Sequence, residues 1–360
     1  MTSRNTCMTL FWLVSLALAV SPAGADEAVL PTTKCGDFFI AQVSINGKGP
    51  WPMILDSGAA STVLSDKIAG ILGGVGQVRS VQIGDFKARG ELHFFSRSMD
   101  QLSHALGTRI EGIVGHPVFQ NVLLTYDYPA GEVRVGQGSL PAVGPGIVPT
   151  GKARRPYVRV RIGRHRFRAL IDTGSGSGLT LSRAKRYRFG EPLRRTGIRV
   201  RINGTHYVRT GRLDGDVELG PLILRQPIVR EGVKTGRHDN LVGQEILRDF
   251  MLIFDQANRR MQFQGPVDSP IRFAPYFDIG AAFDPKEKGW PVMDIFPGSG
   301  AEAAGLLVGD LLLARDGEKM WERDCPEDST YDTEPRDVVL TVLRDGEEID
   351  LTVTTRALVP

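Results

Sequence analysis

Alternation of apolar and polar residues runs through much of the chain beyond its first 25 residues. Val158, Val160 and Ile162 alternate with Arg159 and Arg161, the period-two pattern of a strand with one buried face. The stretch at 38–65, FFIAQVSINGKGPWPMILDSGAASTVLS, has a near twin at 157–182, YVRVRIGRHRFRALIDTGSGSGLTLS. Each reads as a strand, a short turn, a second strand ending in Asp-Ser/Thr-Gly, and a further apolar run. Asn46-Gly47 and Gly163-Arg164 mark the hairpin turns.

A second pair of similar stretches follows the first. Residues 112–135 read GIVGHPVFQNVLLTYDYPAGEVRV, and residues 240–263 read NLVGQEILRDFMLIFDQANRRMQF. In both, two apolar residues precede a glycine, and an aspartate lies twelve positions beyond it: Gly115 to Asp127, and Gly243 to Asp255. Two elements repeated in one order, with matching spacing, predict an internally duplicated structure. The Gly- and Pro-rich segment 136–156 connects the copies, and a second boundary falls near 265–275.

The first 25 residues differ from the rest. Arg4 precedes an apolar run at 10–20, and small residues follow through Ala25. This is the layout of a cleaved secretory signal, and the run is short for a bilayer span. The expected product is exported, periplasmic or secreted, with no stable membrane span. Its cysteines are then Cys35 and Cys325. They fall in different predicted units, so two free thiols are expected, with a disulfide as the alternative. The predicted organisation is a signal peptide at 1–25, one lobe at 26–145, a second at 146–266 and a further unit at 267–360.

Composition adds little: 41% hydrophobic and 24% charged residues, with 42 glycines, suit a turn-rich globular β protein. Charge is uneven. Residues 151–212 hold 18 Lys and Arg, with Glu191 the only acid besides Asp172. Residues 267–360 hold 20 acids and 9 bases. The basic residues read first as solvated strand faces; docking on the acidic unit is the alternative. No aromatic-interleaved basic motif points to nucleic acid. No Cys/His spacing suits a metal, and no cofactor is implied. The histidines, His116 and His238 included, lack an evident nucleophile partner and are expected at the surface.

The chemistry sits in Asp56-Ser57-Gly58 and Asp172-Thr173-Gly174. Met53-Ile54-Leu55 precedes the first and Ala169-Leu170-Ile171 the second. A carboxylate at the end of a buried strand is costly unless paired or hydrogen-bonded. One such tripeptide is an ordinary Asx turn; two, each with its own apolar-apolar-Gly partner, form a constellation. The arrangement resembles the pepsin/retropepsin clan of aspartic peptidases over residues 36–265, with Ile113-Val114-Gly115 and Leu241-Val242-Gly243 as the accompanying motifs. That resemblance implies a mainly β fold, a bilobal pepsin-like double β-barrel. It implies catalytic Asp56 and Asp172 at the lobe interface, supported by Ser57, Gly58, Thr173, Gly174 and Ser175. It also implies a hydroxyl bond from Ser175 to its carboxylate that Ala59 cannot match, leaving Asp56 with the shared proton. A β-hairpin flap is expected at 81–86, with a counterpart at 200–207 around Asn203-Gly204. The substrate is a peptide or protein.

The C-terminal unit contains GWPVMDIFPGSGAEAAGLLVGDLLLARDGE at 289–318. It resembles a bacterial PDZ domain, which adds an appended PDZ-like β-sandwich containing short helices. The resemblance makes Phe277, Asp278, Ile279 and Gly280 the peptide-carboxylate loop. Asp278 would repel a carboxylate, which points to an internal segment or the protein's own chain as ligand. Residues 319–336 depart from the family pattern at the helix that borders the groove. Two functions remain open from sequence: an active endopeptidase, and a non-catalytic peptide-binding scaffold that works through its PDZ domain.

Overall fold

The computed structural model describes residues 27–89, 92–151, 154–201, 204–232, 240–322, 325 and 332–360. The expected signal peptide, Asn203 and His238 lie outside them. The fold is mainly β and bilobal. In the first lobe, Phe38–Ile45 turns back through Asn46-Gly47, both at positive φ, into Lys48–Asp56. Lys48–Asp56 pairs in parallel with Gly112–Gly115, which sets Asp56 opposite Gly115. Thr62–Leu64 runs antiparallel to that same glycine strand. The second lobe repeats the plan. Tyr157–Ile162 pairs with His165–Ile171, which runs parallel to Asn240–Val242, and Leu179–Leu181 returns against it. Central strands covered on both sides need unbroken apolar runs; accordingly Met53, Ile54, Leu55, Ala169, Leu170 and Ile171 are all buried.

The second repeated pair joins the lobes. Leu123–Asp127 and Met251–Asp255 lie antiparallel, with Thr125 opposite Ile253 at the centre. Glu132–Gly136 and Arg260–Gln264 flank them, so one sheet is built from both halves. Asp127 and Asp255, which sequence spacing singles out, end their strands and cap the following turns. They accept from the amides of Ala130 and Asn258 at 3.1 and 3.0 Å. A continuous apolar core runs beneath this sheet, with Phe39, Tyr126 and Phe254 in edge contact.

The third unit has its own core, including Ile279, Val292, Leu312, Val338 and Val353. Its helix Gly300–Ala303 is capped by Ser299, whose hydroxyl accepts from Glu302 N at 3.2 Å. Asp345 and Gly346, both at positive φ, turn Asp337–Arg344 into Glu347–Thr354. Tyr276, Ala282, Phe296 and Leu358 cluster with Ile228 of the second lobe. Arg212 donates to the carbonyls of Phe273 and Ala274, each at 3.1 Å, and Arg195 pairs with Asp294 at 2.7 Å. Two arginines of the basic stretch therefore do hold the acidic unit, while Arg161 and Arg194 pair within their own lobe. Ile271–Arg272 adds to the second lobe's sheet beside Leu222–Arg225, carrying that lobe past residue 266.

Two free thiols were the expectation for Cys35 and Cys325, and the structure corrects it. They form a disulfide with Cα atoms 4.5 Å apart. Both meet the end of the helix Asp100–Leu106: Cys325 N donates to Leu106 O at 3.2 Å, and Leu102 and Leu106 pack beside the pair. The bond ties the third unit to the first lobe, in addition to its contact with the second.

Candidate active site

Each aspartate leaves its strand into a turn closed by its own carboxylate. Asp56 Oδ1 accepts from Gly58 N at 2.6 Å, and Asp172 Oδ1 from Gly174 N at 3.2 Å. The glycines are required by what lies across from them. A side-chain carbon on Gly58 would collide with the Asp172 carboxyl, and one on Gly174 with the Asp56 carboxyl. The two turns therefore meet face to face, each carboxyl lying against the glycine of the opposite turn. Both aspartates remain partly accessible. Burial first, then the neighbouring Asp172 charge, hold the Asp56 carboxyl well above the usual carboxylate range, although the amides of Gly58 and Ala59 pull it down.

Beneath the carboxyls the loops are cross-linked. Ser57 and Thr173 are fully buried. Ser57 N donates to Thr173 Oγ1 at 2.9 Å, and Thr173 N donates to Ser57 Oγ at 3.1 Å. The Ser57 hydroxyl in turn donates to Ile171 O at 2.7 Å, and the Thr173 hydroxyl to Leu55 O at 3.4 Å. Each hydroxyl thus satisfies two backbone groups of the opposite lobe.

The glycine strands brace these loops from behind. A side chain on Gly115 would strike the backbone of Ser61, and one on Gly243 the carbonyls of Ser175 and Ser177. The next amide in each strand closes the contact: His116 N donates to Ala59 O at 3.0 Å, and Gln244 N to Ser175 O at 2.8 Å. Gln244 escaped sequence reasoning. Its buried side chain donates to Thr173 O at 2.6 Å and to Asp37 O at 2.9 Å, so it fixes the second loop from within. Its place directly after Gly243 in the repeat was the available signal. The matching residue in the first lobe is His116, which is buried and not at the surface as expected. The turn after Gly115 points its ring into the lobe interface, edge-on to Phe254 at 5.1 Å, and burial lowers its pKa to about 3. The Ser175 hydroxyl meets Ser177 Oγ at 2.8 Å in place of the expected carboxylate bond.

Above the pair lies a cavity of about 820 Å³. The hairpin expected as its flap borders no part of it. Val81 and Ile83 are buried in the first lobe, because Ser80–Ile83 pairs with Phe38–Ile45. The cover comes from the second lobe. The long hairpin Arg194–Arg201 and Gly204–Arg212 contributes Thr196, Gly197, Ile198 and Val208, all outside the counterpart expected at 200–207. The helix Asp100–Leu106 adds Leu102, Ala105 and Leu106.

The third unit forms the remaining wall, through residues that include Asp278, Ala281, Ala282, Phe283 and Trp290. Of the four loop residues named from sequence, Asp278 alone borders the cavity. Ile279 belongs to the third unit's core, and Phe277 exchanges backbone hydrogen bonds with Asp332 at 2.9 and 3.0 Å. Gly280 N donates to Asp278 Oδ1 at 2.7 Å. Burial lifts the Asp278 carboxyl to about 6 against that bond and the Arg315 charge. Among the described residues, no three His, Cys, Asp or Glu side chains converge as metal ligands would.

Among protein-family models, the PDZ domain matches residues 277–355. No curated protein matches the chain.

Proposed function

We propose that the chain is an aspartic endopeptidase in which Asp56 and Asp172 share one proton and activate one water, with its PDZ domain engaged in peptide binding. The observation that carries this reading is the pair of Asp-Ser/Thr-Gly turns. They lie face to face, each carboxyl against the opposite turn's glycine, at the floor of a cavity. Two carboxyls at this separation do not both ionise cheaply, so the pair holds a single proton across the mildly acidic range. The raised pKa belongs to the pair, and this reading assigns the shared proton to Asp56 and the charge to Asp172. Asp172 is then the general base that takes a proton from water. The water attacks the scissile carbonyl while Asp56 donates to the carbonyl oxygen. No covalent intermediate is required. The amides of Gly58 and Gly174 hold both carboxylates in place throughout.

Export fits this reading. The Cys35–Cys325 disulfide survives in an oxidising compartment, and residues 1–25 have the layout of a secretory signal. A scaffold that grips peptides without cutting draws support from the PDZ match.

One experiment separates the two readings. A reduced, carboxymethylated protein substrate is incubated across acidic to neutral pH with the wild-type chain, Asp56→Asn and Asp172→Asn. The peptidase reading expects cleavage by the wild type and its loss in both variants; cleavage that survives both substitutions ends that reading.

A further inference from the structure

The cavity over the aspartates is walled by a sheet edge. Ala281–Phe283 pairs on one side with Trp290–Ile295, and among the described residues no strand pairs with its other side. Phe296 N donates to Gly280 O, and Asp284 N to Pro291 O, both across this pairing. Alternate residues of an antiparallel strand turn their backbone groups to opposite sides. The N–H and C=O groups of Ala281 and Phe283 therefore face away from the partner strand. All three residues of this edge border the cavity that holds Asp56 and Asp172.

A loop before such an edge can receive a chain-terminal carboxylate in its backbone amides. Here that place is filled from within. Gly280 N donates to Asp278 Oδ1 at 2.7 Å, and Tyr276 OH lies 3.5 Å from the other oxygen. A second carboxylate at this point would meet Asp278 instead of a free amide. The remaining walls carry apolar Phe95, Leu102, Ile198 and Trp290 alongside Arg97, Arg155 and Arg230.

We infer that Ala281–Phe283 is the substrate-positioning edge of the catalytic cavity, adding an internal, apolar, extended segment of the substrate as a further strand and leading it across Asp56 and Asp172. This rests on the peptidase reading. The PDZ domain then acts in cis, within the site, and selects chain interiors over chain ends.

Fluorescence anisotropy on the full chain carrying Asp56→Asn tests binding without cleavage. The probe is a labelled synthetic pool of randomised apolar peptides, prepared as C-terminal amides, as free acids, and with alternate backbone nitrogens methylated. Amides and free acids should bind alike. The methylated pool should bind about tenfold more weakly, since it loses at least one net backbone hydrogen bond. Phe283→Pro, which removes an outward N–H, should weaken the unmethylated pool by a similar factor. The methylated pool keeps the test valid where that variant fails to fold. Asp278→Ala empties the loop and should give the free acids an advantage of about tenfold over the amides. Equal binding of methylated and unmethylated pools, no binding of the amides, or a free-acid preference before Asp278 is changed would each overturn the inference. The parent reading fails separately. Strand binding without wild-type cleavage removes the peptidase and leaves the edge. Cleavage with an unchanged KM in Phe283→Pro removes the edge and leaves the peptidase.

Discussion

Replacing Ser57 by alanine tests whether the cross-lobe hydroxyl network holds the two aspartate turns in register. The Ser57 hydroxyl donates to Ile171 O at 2.7 Å and accepts from Thr173 N at 3.1 Å, all within a fully buried seam. Alanine leaves that carbonyl and that amide without partners. A buried unpaired backbone group costs about 1–3 kcal/mol, so the pair should cost about 2–6 kcal/mol. That is a large share of the ~5–15 kcal/mol that holds a typical domain folded. Urea unfolding followed by tryptophan fluorescence gives the measurement, with Trp51 in the first lobe and Trp290 in the third unit as reporters. Thr173→Ala removes the mirror-image hydroxyl, which accepts from Ser57 N. The double variant should lose less than the sum of the singles, because loops already slackened by one deletion have less to lose from the second. A loss below about 0.5 kcal/mol for Ser57→Ala, the range of an ordinary surface substitution, would refute the claim that these bonds bind the lobes at the site.

Two further outcomes follow from the same geometry. His116 has a folded pKa of about 3 against 6.5 for the free side chain, so the unfolded chain takes up a proton that the folded chain refuses. The stability that depends on its neutrality is whole above pH 6.5 and falls as pH drops towards 3, by up to about 5 kcal/mol. His116→Phe should flatten the urea midpoint over that window, and an unchanged slope would assign the acid sensitivity to other groups. Gly174→Ala should preserve the circular dichroism spectrum yet reduce cleavage by about a hundredfold, because the new carbon displaces the Asp56 carboxyl; retained activity would mean the turns need not approach so closely.

The parts of this structure that depend on local chemistry were readable beforehand. Apolar runs before each aspartate, the alternation at Val158, Val160 and Ile162, and positive-φ pairs such as Asn46-Gly47 all act over a few residues. The duplication was readable because both copies kept their spacing. What depends on through-space encounters was not. Cys35 and Cys325 meet across a sequence separation of 290, and nothing near either residue names its partner. His116 looked like any polar residue, since its burial comes from the opposite lobe's Phe254. The cover was misassigned for a related reason. Val81 and Ile83 belong to a strand that is claimed by Phe38–Ile45, while the arginines of the longer hairpin read as plain solvent-facing positions.

The bond between Cys35 and Cys325 makes a covalent ring of nearly the whole described chain, both lobes included. By loop-closure entropy alone, a ring of this size disfavours the unfolded ensemble by about 5–6 kcal/mol. It also changes what a cut inside the molecule would do. Any single scission between the two cysteines leaves the pieces tethered, so a nicked molecule keeps its mass until a reductant is added. For a chain proposed to cleave polypeptides, self-inflicted breaks would therefore accumulate unseen on oxidising gels and appear as fragments only on reducing ones.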